Sequence, residues 1–201
     1  MKLGFLSAIL PEYTFEQVID FAAENGFSCV ELACWPQGKA ERRYAGVTHI
    51  DMDTLTEEKA AYIKDYCKKR NVYISGIGYY PNPLSDDPEQ RRIAQEHIKA
   101  CIKGAAMLGV NLVNTFIGRN RLLSPEDNKA EFESVWPEII RLAEEYQVRV
   151  CIENCPMYFK TEWPNGQNLA CSPAFWRYMF ETIPSPFFGL NYDPSHLVWQ
   201  R

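Results

Sequence analysis

Short apolar runs alternate along the chain with longer segments in which apolar residues recur at helical spacing. Six runs have the length and composition of buried β-strands, and they lie at residues 2–7, 29–33, 72–78, 112–117, 148–154 and 188–192. The segments between them predict helices at about 14–25, 56–70, 87–109, 128–146 and 173–182. Strands that alternate with helices predict parallel βαβ units and an α/β fold.

Capping residues mark the predicted helix boundaries. Thr14 and Gln17 have capping-box spacing, Asp87 with the following proline begins the third helix, and Gly109 ends it. Pro137 lies inside the fourth predicted helix, where we expect a local kink or a boundary. The buried stripe of the third helix is expected to consist of Ile93, His97, Cys101, Ala105 and Leu108.

The spacing of the strands predicts part of a barrel. From the second strand onward, strand starts recur roughly every 40 residues along a chain of 201 residues. A closed (β/α)8 barrel has about 250 residues. We therefore expect residues 1–201 to form one TIM barrel domain that is truncated at its C-terminal end, with about the first six β/α units present. An open six-stranded sheet is the alternative.

Polar loops are expected at Lys39 to His49 and Cys155 to Asn168, and no helix is predicted after the sixth strand.

Composition narrows the range of partners. The formal net charge is −5, which argues against nucleic acid, because binding to a polyanion requires a concentrated basic surface. No apolar run is long enough to cross a bilayer, so no membrane partner is expected. The seven cysteines are odd in number and lack paired spacing, which favours the reducing cytoplasm. A homo-oligomer is compatible with these features.

Residues able to hold a divalent metal stand at the ends of the fifth and sixth strands. Side chains alternate along a strand, so Cys151, Glu153 and Cys155 share one face, and Asp193 follows the sixth strand. In a parallel sheet Glu153 and Asp193 converge at the carboxyl edge. With the nearby imidazole of His196 they suit Mg²⁺, Mn²⁺, Co²⁺ or Zn²⁺.

Other interpretations of these residues remain open. Glu153 can instead be a buried carboxylate paired with a helix lysine, and Asp193 a turn-forming aspartate before proline. A zinc-thiolate site at Cys151 and Cys155 is disfavoured, because their spacing is not that of a zinc ribbon and a buried strand cysteine usually packs as a small hydrophobe. We interpret His49 and His97 as structural.

Aromatic and amide side chains gather near the predicted strand ends, as in a pocket for a polyol. Aromatic faces pack on sugar rings, and amides hydrogen-bond to hydroxyl groups. Core packing is the alternative for each aromatic residue. The absence of a glycine-rich phosphate cradle favours an unphosphorylated sugar. The residues assigned to substrate on this basis are Trp35, Tyr80, Asn82, Asn114 and Asn154.

Five motifs at the strand ends are typical of one known family. They are Val30-Glu31-Leu32, Gly78-Tyr79-Tyr80-Pro81-Asn82-Pro83, Val113-Asn114-Thr115-Phe116-Ile117-Gly118-Arg119, Ile152-Glu153-Asn154-Cys155-Pro156 and Asn191-Tyr192-Asp193-Pro194-Ser195-His196. Through them, and most specifically through the last two, the sequence resembles the sugar phosphate isomerase/epimerase family of the xylose-isomerase-like TIM barrel superfamily. The likeness covers essentially the whole chain.

The resemblance implies a particular metal site. In that family a glutamate of strand five, an aspartate of strand six, a histidine of strand seven and a glutamate of strand eight hold the metal. Glu153 and Asp193 match the first two, and the 201 residues contain no match for the last two. His196 matches a histidine that contacts a substrate oxygen. The resemblance further implies that Glu153 is both a ligand and the catalytic acid/base on one face of the sugar.

The function implied is that of a divalent-metal-dependent isomerase or epimerase acting on a ketose or keto-sugar. Its proton abstraction next to a carbonyl passes through a metal-stabilised enediolate. A sugar lyase or dehydratase of the same fold and a non-catalytic sugar-binding remnant are the alternatives. An endonuclease IV-like nuclease is disfavoured, because the third and fourth strand ends, 77–79 and 114–116, lack the required zinc-binding histidines.

Overall fold

The computed structural model describes residues 2–37, 45–158 and 163–198. Its strands are β1 (Gly4–Leu6), β2 (Cys29–Ala33), β3 (Tyr73–Gly78), β4 (Leu112–Thr115), β5 (Arg149–Glu153) and β6 (Phe188–Asn191). Its helices are α1 (Phe15–Glu24), α2 (Glu57–Arg70), α3 (Pro88–Leu108), α4 (Asp127–Tyr146), α5 (Pro173–Thr182) and α6 (Ser195–Val198), and a 3-10 turn lies at Ser7–Ile9. Within the two predicted polar loops, 39–44 and 159–162 lie outside the described residues.

The six strands form one sheet in which every strand pairs with the next along the chain. All five pairs are parallel. This order belongs to a (β/α)8 barrel, because in doubly wound sheets the strand order reverses at a switch point. The predicted arrangement of six β/α units of a TIM barrel is therefore confirmed. All carboxyl ends of the strands lie at the same edge of the sheet.

Alternation of side chains divides each strand between two faces. In β5, Val150 is fully buried beneath the helices, whereas Cys151 and Glu153 are partly exposed on the inner face. The helices cover the outer face with an apolar core that includes the fully buried Trp136 of α4. The indole Nε1 of Trp136 donates a hydrogen bond to the carbonyl of Ile117 at 3.1 Å, which ties α4 to the loop after β4.

Capping residues stand at the boundaries of α1 and α3 that the sequence predicts. The Thr14 side chain accepts a hydrogen bond from the backbone of Gln17, whose side chain accepts one from the backbone of Thr14. The Asp87 carboxylate caps the start of α3, and Gly109 ends that helix in the left-handed conformation, with φ of 71°. Of the kink or boundary expected at Pro137, the boundary is absent, because α4 runs past this residue unbroken, and the kink stays a prediction.

The buried face of α3 differs from the prediction at one position. Ile93 is 41% exposed, whereas Ile98 is fully buried. Residues five apart on a helix point about 140° away from each other, so the two cannot share the buried face. The other four predicted positions of the stripe are buried.

The short helix α6 follows β6, where the sequence predicted none. The backbone N–H groups of Leu197 and Val198 bond to the carbonyl of Pro194. This turn carries His196 back towards the end of β5. Of the helices in the described ranges, none is both long and apolar enough to cross a membrane.

Two alanine substitutions on α3 test its orientation. Ile98→Ala should lower the free energy of unfolding by about 2–5 kcal/mol, because it leaves a cavity at a fully buried site. The matched change Ile93→Ala should alter it by about 0.5 kcal/mol or less. Urea unfolding followed by circular dichroism measures both. Equal destabilisation by the two variants would show that α3 faces the sheet differently.

Candidate metal centre

The ends of β5 and β6 bring three potential metal ligands together. In the parallel ladder Glu153 lies beside Asn191, and Asp193 follows two residues later. Nε2 of His196 lies 3.1 Å from Oε1 of Glu153 and 3.4 Å from Oδ2 of Asp193. The side chains of His196 and Glu153 are 14% and 20% exposed, so the pair is shielded from bulk water but still accessible.

Two buried asparagine side chains hold the backbone of these strand ends. Oδ1 of Asn154 accepts a hydrogen bond from the N–H of Asp193 at 2.7 Å, and its Nδ2 donates to the carbonyl of Asp193 at 2.9 Å. Nδ2 of Asn168 donates to the carbonyls of Glu153 and Cys155, at 2.9 and 2.7 Å. These amides position the candidate ligands. Sequence reasoning assigned Asn154 to substrate and did not identify this use.

Asp193 lies in surroundings that favour its charged form. Partial burial alone would raise its pKa, but hydrogen bonds from the side chain and backbone of Ser195 outweigh that effect. The nearby imidazole of His196 acts in the same direction, so the pKa of Asp193 is lowered. The backbone N–H of Ser195 donates to Oδ1 at 2.8 Å, while Oδ2 faces His196. The carboxylate is therefore ionised at neutral pH, as a cation requires.

The donor atoms around Glu153 fit a divalent metal. Ligand atoms of Glu153, Cys155 and His196 all lie within 4.8 Å of one another. Carboxylate oxygen, imidazole nitrogen and sulfur are the donor types that bind zinc and similar ions. The predicted ligand Asp193 lies outside this mutually close group, although it neighbours His196. His196, which the resemblance assigns to substrate, lies inside it.

A second carboxyl group occupies the inner face of β2. Glu31 accepts hydrogen bonds from the Tyr80 hydroxyl on Oε1 and from Nδ2 of Asn114 on Oε2, the latter at 2.8 Å. Nδ2 of Asn191 donates to the Tyr80 hydroxyl at 3.3 Å, so the network reaches β6. Burial raises the pKa of Glu31; the two hydrogen bonds counteract part of the rise, and the charge of Glu153 adds to it.

Glycines on β3 leave room for this network. A Cβ at Gly78 would lie 2.6 Å from Oε1 of Glu31 and 3.1 Å from the ring of Tyr80. A Cβ at Gly76 would lie 3.3 Å from Nδ2 of Asn114. Even an alanine at position 78 would therefore displace the carboxyl group. Holding a carboxyl group in a desolvated place is costly, and such groups concentrate at functional sites.

Asn114 can serve either protonation state of Glu31. Its Nδ2 donates to the carboxylate, and its buried Oδ1 accepts no hydrogen bond from the described residues. A half-turn of the amide would bring Oδ1 to the carboxyl group, where it can accept the proton of the neutral acid. The raised pKa of Glu31 is thus compatible with its surroundings.

The structure divides the remaining residues assigned to substrate. Tyr80 and Cys155 belong to one small apolar cluster, and Trp35 packs against it, so both aromatic side chains lie next to the candidate donor group.

Asn82 instead joins two loops. Its Oδ1 accepts a hydrogen bond from the N–H of Arg119 at 2.8 Å, and its Nδ2 donates to the carbonyl of Arg119 at 2.9 Å. The amide of Asn82 therefore serves to hold these two loops together.

His49 and His97 both bond within the scaffold. The ring nitrogens of His49 lie 2.8 Å from Oγ of Ser7 and 3.2 Å from a backbone carbonyl. Those of His97 lie 3.1 Å from the Asp53 carboxylate and 2.9 Å from a backbone carbonyl. Burial lowers the pKa of His49, which favours its neutral form. These contacts agree with a structural role for both.

Comparison with known sequences assigns a family. The family described as xylose isomerase-like TIM barrel matches residues 19–201. The uncharacterized protein YfiH of Bacillus subtilis (strain 168) is 26% identical over an alignment of 214 residues, gaps included, that covers 99% of this chain and 66% of YfiH. Both matches extend over the strand ends that carry Glu153 and His196.

Solved structures show the same fold. D-psicose 3-epimerase from Clostridium cellulolyticum H10, crystallised with D-tagatose, has a TM-score of 0.73 and 16% identity over 98% of this chain and 65% of the epimerase. The IolI protein with a bound zinc atom has a TM-score of 0.63 and 15% identity over 94% of this chain and 62% of IolI. The chain thus spans 62–66% of the length of these relatives.

Glu31→Gln should remove a pH-dependent loss of stability. The pKa of Glu31 is raised above its ordinary value of 4.5, so the folded state loses stability as the pH rises through that raised pKa. Glutamine cannot ionise. The free energy of unfolding of the wild type minus that of the variant should therefore fall as the pH rises above the ordinary value of 4.5, in urea titrations at each pH.

The control for this experiment is Glu138→Gln. Its hydrogen bond to Lys99 lowers the pKa of Glu138, so the corresponding difference should not fall over the same range. A difference for Glu31→Gln that is independent of pH would contradict the raised pKa of Glu31.

Proposed function

The chain belongs to the xylose isomerase-like TIM barrel family, and we propose that the protein is a divalent-metal-dependent sugar isomerase or epimerase. Its substrate is a ketose or keto-sugar. The reaction removes a proton from a carbon next to the carbonyl and returns it to the other face of that carbon or to its neighbour. Glu153 is the catalytic acid/base of this proposal.

The contact between Glu153 and His196 carries the proposal. Oε1 and Nε2 lie 3.1 Å apart at the carboxyl edge of a parallel barrel, where enzymes of this architecture place their active sites. An ionised aspartate, Asp193, stands beside the imidazole. The donors belong to two adjacent strand ends whose backbones are held together by Asn154.

Each side chain has a role that follows from its chemistry. Glu153, His196 and Asp193 would hold a divalent ion of the manganese, magnesium, cobalt or zinc class, which supplies Lewis-acid polarisation of the substrate carbonyl. A carboxylate oxygen of Glu153 takes the proton from the neighbouring carbon. Oε1 of Glu153 and Nε2 of His196 lie 3.1 Å apart, close enough to contact the same ion. Asp193 contributes a second anionic oxygen.

The surrounding groups suit a polyhydroxylated substrate. Trp35 and Tyr80 offer aromatic surface next to the donor group. Glu31 in its neutral form donates and accepts hydrogen bonds without adding charge. The fold shared with D-psicose 3-epimerase supports a ketose as the first substrate to test.

Solvent-deuterium exchange tests the reaction. In D₂O with a divalent metal, the protein should introduce deuterium next to the carbonyl of D-psicose or D-tagatose, as seen by proton NMR. Glu153→Gln should slow this exchange by about 10²–10⁴-fold, because it removes the proton acceptor. Glu138→Gln changes an exposed glutamate on α4, with a side chain 67% exposed, and should leave the rate unchanged.

Three outcomes would contradict the proposal. Equal exchange by the Glu153→Gln variant would exclude that carboxylate as the base. Loss of water from the sugar would identify a lyase or dehydratase instead. Binding of ketoses without any exchange would identify a sugar-binding protein.

A further inference from the structure

Cys155 lies inside the donor group, although the proposed proton transfer does not use it. Its Sγ is within 4.8 Å of ligand atoms of both Glu153 and His196. The residue is 6% exposed and shares an apolar cluster with Tyr80 and Phe116. A buried cysteine usually serves as a small hydrophobe. Here a carboxylate and an imidazole lie close to the sulfur, and the packing of a small hydrophobe requires neither of these groups.

The backbone around Cys155 is held in place. Nδ2 of Asn168 donates to the carbonyl of Glu153 at 2.9 Å and to that of Cys155 at 2.7 Å. Residues two apart on extended backbone point to the same side, so this shared hydrogen-bond donor keeps the carboxylate and the thiol together. Cys151 is also on the inner face of β5, but it lies outside the donor group, near Gly189.

We propose that Cys155 is a further protein ligand of the metal, beside Glu153, His196 and Asp193, and makes the site selective for zinc or cobalt over magnesium and manganese. This inference rests on the proposed metal site of Glu153, His196 and Asp193. Thiolate sulfur favours zinc-class ions, whereas magnesium and manganese favour oxygen donors. The thiol proton passes to solvent when the metal binds.

Cobalt titration of the metal-free full chain tests the assignment. Wild type should bind one Co²⁺ and develop a near-ultraviolet thiolate-to-cobalt charge-transfer band. Cys155→Ser should lose the band, while the matched variant Cys151→Ser should keep it. In competition with a chromophoric chelator, Cys155→Ser should weaken zinc affinity by at least about tenfold, and magnesium affinity should change little.

A measurement on the wild type alone covers the case in which Cys155→Ser does not fold. X-ray absorption at the zinc edge should show one sulfur neighbour at about 2.3 Å. Zinc bound with only nitrogen and oxygen neighbours would overturn the role of Cys155 and leave the proposed metal site intact. A cobalt charge-transfer band that survives in Cys155→Ser would likewise overturn the role of Cys155 and leave the proposed metal site intact. Failure of the wild type to bind zinc or cobalt would overturn both the inference and the proposed metal site.

Discussion

The register between β5 and β6 is the constraint on which the candidate site depends. Side-chain direction alternates along a strand, so a slip of one residue would turn Glu153 from the inner face towards the helices. The observed register sets Glu153 beside Asn191. Beyond the strand ends, the amide of Asn154 bonds to both the N–H and the carbonyl of Asp193. The Asn154 side chain thereby extends the hydrogen bonding between the two strands beyond their ends and holds the loop that carries His196.

The inner face of the barrel shifts the pKa values of two carboxyl groups in opposite directions. Hydrogen bonds from Ser195 lower the pKa of Asp193 despite its partial burial, whereas burial raises the pKa of Glu31. The lowered pKa keeps Asp193 charged, which suits a cation, and the raised pKa favours the neutral form of Glu31, which can donate a hydrogen bond to a hydroxyl of an uncharged sugar. Surroundings that push the pKa values of neighbouring carboxyl groups apart are typical of sites that assign them different tasks.

Local patterns predicted the fold because each β/α unit is built from short-range signals. The capping box at Thr14 and the cap at Asp87 lie where the sequence places them. Tertiary packing decided the rest. The choice of Ile98 over Ile93 on α3 depends on how that helix meets its neighbours. Glu31 finds its hydrogen-bond partners 49 and 83 residues away, a separation that no local pattern reveals. Asn154 looked like a substrate ligand because its partner, the backbone of Asp193, is 39 residues distant.

The central claim is that the ends of β5 and β6 form a metal site. Anomalous diffraction from crystals of the protein grown with Zn²⁺ or Co²⁺ tests it most directly. The account predicts an anomalous peak in contact with Oε1 of Glu153 and Nε2 of His196, atoms that lie 3.1 Å apart. A metal peak elsewhere with none at this position would contradict the claim. So would the absence of any metal peak from crystals in which the ends of β5 and β6 are well ordered.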